Sequence, residues 1–128
     1  MSGFVDATDA GVVEQVLRQA LPVVGVDGLL AQLAGVPGLQ VERGRRGRLL
    51  RAAVAPQASY GDRTLRFDPA GPVVVHVVGG IVLATEPVAP AALPGQLAAL
   101  VVRAVGGTTA PDDASVVLTA LRDAAEIA

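Results

Sequence analysis

The pair Gly79-Gly80 stands between two runs of strand-forming residues, 73–78 and 81–86, and it constrains this chain more than any other feature. A two-residue link between antiparallel strands needs positive φ at its central positions, which glycine adopts without steric cost. The spacing predicts a hairpin with Val78 opposite Ile81 and His76 opposite Leu83. Run 73–78 is apolar at nearly every position, the pattern of a strand covered on both faces.

Hydrophobic period predicts the other elements. Asp9 can cap a helix whose apolar face is Val12, Val13, Val16, Leu17, Ala20 and Leu21, with Glu14 and Arg18 paired one turn apart. Pro22 is expected to end it. Asp27 can cap a short second helix carrying Leu29, Leu30 and Leu33, closed by Gly35 and Pro37. Alternation then predicts a strand at 39–41, a turn at 44–47 and a return strand at 48–55. A loop around Pro56 and Gly61 leads to a third strand at Leu65 and Phe67, and residues 68–72 form a dense turn signal. A third helix is expected from Pro94, with Leu97, Leu100, Val101 and Ala104 as its stripe and Gly106-Gly107 at its end. Pro111, Asp112 and Asp113 open a fourth, with Val117, Leu121 and Ala124 inward.

The expected fold is one α+β domain over 1–128, with an ordered core at roughly 8–127. It comprises an antiparallel, meander-like sheet of about five strands. Two N-terminal and two C-terminal helices flank it, packed on one face. Strands that follow one another without intervening helices argue against a doubly wound parallel sheet. A chain of 128 residues is long enough to hold an aliphatic core without staples.

Absent residue types narrow the chemistry. There is no Cys, Lys, Asn or Trp, and His76 is the sole histidine. All ten cationic residues are arginine, which we read as the signature of a GC-rich, bacterial genome. Without lysine there is no phosphate-gripping P-loop and no Schiff base. Without cysteine there is no disulfide, thiolate nucleophile or zinc-thiolate site. One histidine cannot build a His-rich metal centre within one chain. No metal and no cofactor are therefore expected, and no catalytic constellation is recognisable.

Two groups of polar residues stand out. His76, Tyr60 and Asp62 form a possible polar site, His76 in mid-strand and the other two in an expected loop. The second group is cationic: Arg43, Arg45, Arg46, Arg48 and Arg51 lie in the expected first hairpin. With Arg63 and Arg66, they give the segment 42–66 a formal charge of +5 in a chain of net charge −2. Guanidinium forks bind carboxylates and phosphates bidentately, so this hairpin is an expected anion or acidic-protein contact. Nucleic acid is disfavoured, because the chain is acidic overall and has only three aromatic residues for base stacking.

Runs 73–83, 97–105 and 116–121 carry more apolar residues than one buried stripe requires. A homodimer contact is the expected use of that surplus, a partner protein or an apolar small ligand the alternatives. The first residues carry no basic region followed by an apolar stretch, and no run of about twenty apolar residues suggests a membrane span. The expectation is a cytoplasmic, non-enzymatic interaction module. Alternatives are a carrier of an apolar or amphipathic ligand, an enzyme using His76 with a carboxylate in an open cleft, and a weak anion or nucleic-acid binder acting through the arginine hairpin.

Overall fold

The computed structural model describes residues 5–44 and 55–127. Among them are α1 (Ala10–Leu33), β1 (Gln40–Glu42), β2 (Gln57–Tyr60), β3 (Arg63–Asp68), β4 (Gly71–Val78), β5 (Ile81–Pro87), a short 3-10 turn (Pro90–Ala92), α2 (Leu93–Gly106) and α3 (Pro111–Ile127). The strands form one antiparallel sheet in chain order, β1-β2-β3-β4-β5. This is the α+β meander expected from the hairpin signals.

The register puts Val41, Ala58, Leu65 and Val74 in one row across the sheet. Ala58 and Leu65 are fully buried, and Val41 and Val74 pack against the same core. α2 lies against β2 and β3, α1 touches β1 and packs on α2, and α3 packs mainly on α1. Leu17, Leu30, Leu97, Val101 and Leu118 fill the space between these layers. The N-terminal segment is tied down where the Val5 amide donates to Thr119 Oγ1 on α3 at 3.0 Å.

Asp9 caps α1, its Oδ1 accepting from the amides of Gly11 and Val12 at 3.0 and 3.2 Å. The expected Glu14–Arg18 pair forms at 2.9 Å. Val13, Val16, Leu17 and Ala20 are buried, but Val12 is exposed. The expectation of two N-terminal helices is corrected: one helical element runs through Pro22 and Asp27 to Leu33. The irregularity falls at Gly25, with φ 73° and ψ 175°. Pro22 does not end the helix, because burial of Leu29, Leu30 and Leu33 against the core holds the following turns in place.

The sheet carries a second correction. β1 pairs with Gln57–Tyr60, a stretch expected to be loop, with Gln40 opposite Ser59. Ala58 is the reason: although it stands among polar residues, its side chain is buried in the core. The expected return strand at 48–55 falls mostly outside the described residues, and Ala55 itself is not in a strand. Arg45, Arg46, Arg48 and Arg51 also lie outside the described residues, while Arg43 is exposed just beyond β1.

The hairpin at Gly79-Gly80 forms with φ of 58° and 81°, and Val78 faces Ile81. One residue further the register shifts. A bulge next to His76 and Val77 sets His76 opposite Ala84 instead of Leu83, leaving Leu83 as the extra residue of β5. In α3 the inward residues are Ala114, Leu118 and Leu121, so the buried face is rotated from the expected one.

Candidate functional site

Two-residue connections fix what stands beside His76. The β3–β4 turn pairs Asp68 with Gly71, and from there the ladder sets Arg63 opposite His76. The β2–β3 turn sets Tyr60 opposite Arg63, and the bulge sets Ala84 opposite His76. Tyr60, Arg63, His76 and Ala84 therefore form one row, two residues along from the row of Ala58 and Leu65 and on the same helix-facing side. His76 is half-exposed because this row lies near the hairpin end of β4 and β5.

Asp62, in the β2–β3 turn, contacts His76 Nε2 through Oδ2 at 3.1 Å. Its other oxygen lies 3.9 Å from the Arg103 guanidinium on α2. The hydrogen bond from His76 is the main cause that holds the Asp62 carboxyl below its ordinary range; desolvation opposes it, and the charges of His76 and Arg103 add smaller lowering effects. Two of the three expected polar-site residues thus meet, and a helix residue not singled out from the sequence joins them.

Tyr60 belongs elsewhere. Its ring lies beside Gly38, and its hydroxyl occupies the space a side chain at Gly107 would need. Glycine at 107 makes room for the phenol at the end of α2, while a side chain at 38 would meet the ring only at an ordinary contact distance. Tyr60 thus packs near Gly38 and Gly107, while Asp62 links His76 and Arg103.

Beside this cluster a space of about 270 Å³ is lined by Arg63, Val74, His76, Ala84, Glu86 and Gln96. Gln96 comes from α2 and the others from the sheet. Arg63 Nε is buried without a hydrogen-bond partner, a condition no other buried side-chain nitrogen or oxygen shares among the described residues. Arg66 differs: it grips Asp68 through two bonds of 2.6 and 2.9 Å, which lowers the Asp68 carboxyl. Reading from sequence singled out neither Arg63 as a site residue nor Gln96. The alternation of β3 and the two-residue turn at 69–70 were the signals that place Arg63 beside His76.

The chemistry here is limited. A His–Asp pair can orient and hold a proton. Acyl transfer also needs a nucleophile, and the lining of this space supplies no hydroxyl or thiol. Among the described residues no group of three or more His, Asp or Glu side chains could hold a metal ion.

A larger groove of about 630 Å³ lies against α1 and α3, bordered by Val5, Val12, Val16 and Arg122. It is an open surface feature, and it lies apart from the sheet–helix layer where an apolar carrier cavity was expected. Leu65, Leu97, Leu100 and Val101 are buried in that layer. By length and composition alone α1 would also cross a bilayer, a test that core helices pass, and seven of its residues are buried in this fold.

Comparison with known protein families, with curated proteins and with solved structures finds no match to this chain.

Proposed function

We propose that this chain is a non-enzymatic interaction module that works as a homodimer, two copies packing hairpin to hairpin at β4–β5. The observation that carries this reading is the exposure of four neighbouring aliphatic side chains: Val78 at 50%, Ile81 at 66%, Val82 at 58% and Leu83 at 65%. Val78 and Ile81 face one side of the hairpin and Val82, opposite Val77, the other, so these aliphatic side chains wrap the hairpin tip; such a group supports a contact surface where isolated exposed aliphatics would not. The ends of the hairpin favour a second copy over a charged partner. No charged residue lies between His76 and Glu86, so self-packing meets no like-charge repulsion and a charged partner finds no counter-ion.

The bulge at Leu83 interrupts the β5 ladder and blunts simple edge-to-edge extension of the sheet. Side-chain packing across a two-fold axis is therefore the expected mode, as in most small homo-oligomers. Native mass spectrometry of the full chain, with light scattering at matched concentrations, tests this. The expected result is a dimer for the wild type and a monomer for Val82→Lys and Leu83→Lys. Both substitutions lie on an exposed strand and leave the core intact. A wild type that stays monomeric at high micromolar concentration ends this reading.

The second half of the reading is docking of an acidic protein through Arg43, Arg45, Arg46, Arg48 and Arg51. Its support is the charge contrast between this segment and the rest of the chain, together with the exposure of Arg43. Charge reversal at Arg45 and Arg46 is expected to release the partner in pull-downs while leaving the dimer unchanged.

A further inference from the structure

We propose that the space between α2 and the β4–β5 end of the sheet binds a small amphoteric molecule of the free amino acid class, its carboxylate on Arg63 and its ammonium group on Glu86. This proposal does not depend on the dimer.

Arg63 supplies the first argument. Its Nε is buried and makes no hydrogen bond, and its guanidinium forms no ion pair among the described residues. Buried donors in folded proteins nearly always have acceptors, and the guanidinium that carries this orphan belongs to a residue lining the open space, where its unpaired charge is available to an acidic ligand. A carboxylate matches the guanidinium fork in shape and charge.

Charge balance supplies the second. Arg63 and Glu86 both line the space yet form no ion pair with each other. A bare anion would meet repulsion from Glu86, and a bare cation from Arg63. A molecule carrying both signs meets neither. Asp62 occupies His76 Nε2, which leaves Nδ1 as the other ring nitrogen, and Gln96 offers an amide NH2 and a carbonyl oxygen. The volume, about 270 Å³, lies just below the ~300–1,000 Å³ typical of pockets for drug-sized ligands. That suits a molecule of a few heavy atoms.

The sole histidine makes the test direct, because the His76 ring protons give isolated NMR signals in the full-length protein. L-Alanine is titrated against acetate and methylammonium, which carry only one of the two charges. The expected result is a saturable shift with alanine at low millimolar concentration and weaker binding of each half-ligand by about tenfold. Arg63→Gln is expected to weaken alanine binding by at least about tenfold, as loss of a charge-assisted bond does. Glu86→Gln, on an exposed strand where folding is not at risk, is expected to bring alanine down to the level of acetate. The proposal is overturned by no saturable shift up to ~100 mM, where affinity is negligible. It is equally overturned by acetate binding as well as alanine, or by either variant binding alanine like the wild type.

Discussion

At the residue scale, Asp62 holds a ring nitrogen of His76 and approaches the guanidinium of Arg103, so it joins the β2–β3 turn to β4 and to α2. Its carboxyl is held below the ordinary value of 3.8 first by the His76 hydrogen bond, and that of Asp68 first by the Arg66 hydrogen bond. A carboxyl lowered in the folded state contributes stability that is present above its unfolded value and is lost as pH falls through the folded value. Stability is therefore expected to drop below about pH 4, and Asp62→Asn and Asp68→Asn are expected to flatten that drop. Urea unfolding midpoints measured at neutral pH and below about pH 3 check this; parallel acid losses in all three proteins would refute it. Gly107 provides a second case. An alanine there meets the Tyr60 hydroxyl, so Gly107→Ala is expected to cost ~1–3 kcal/mol through overpacking. Tyr60→Phe removes the obstructing oxygen and is expected to recover most of that cost, which a double-mutant cycle measures.

At the element scale, turn glycines and caps account for most boundaries. Gly79 and Gly80 hold φ of 58° and 81°, in the left-handed region where a Cβ costs ~1–2 kcal/mol per residue. Alanine at either position is expected to lower stability by about that amount, and asparagine by much less, since it tolerates this conformation. Gly25 has the same requirement inside α1, and its Cβ would meet open space, so the expected loss in Gly25→Ala comes from backbone conformation rather than collision. Thermal unfolding of these variants separates the two causes. A Gly25→Ala protein as stable as the wild type would mean that α1 straightens through that residue.

At the scale of the whole molecule, the helix-facing side of the sheet divides into a dry row and a wet row. Ala58 and Leu65 close the core beneath α2, while Arg63 and His76, in the neighbouring row two residues along, face a polar space. Leu65→Ala empties a fully buried site and is expected to cost ~2–5 kcal/mol. Beyond the polar space the hairpin extends as exposed aliphatic surface. If that surface joins two copies, the unfolding temperature rises with protein concentration, and Val82→Lys removes the dependence without large loss at low concentration. A concentration-independent transition in the wild type would leave the apolar tip without a self-association role.

By itself the sequence determined what local physics dictates. Gly79-Gly80 specified the hairpin and its closing pair, Asp9 the start of α1, Gly106-Gly107 the end of α2, and the uninterrupted strand signals the antiparallel meander. Each rests on backbone torsion, hydrogen bonding between near neighbours or side-chain period, all carried within a few residues. Tertiary structure decided the rest. It drew Ala58 into the core and made a strand of an expected loop, carried α1 past Pro22, and inserted Leu83 as a bulge that changed the partner of His76. It also brought Arg63, Asp62, Glu86, Gln96 and Arg103 to one end of the sheet from three separate elements and a turn. Those outcomes depend on burial against distant residues, and burial is a property of the packed molecule that no local window of the chain contains.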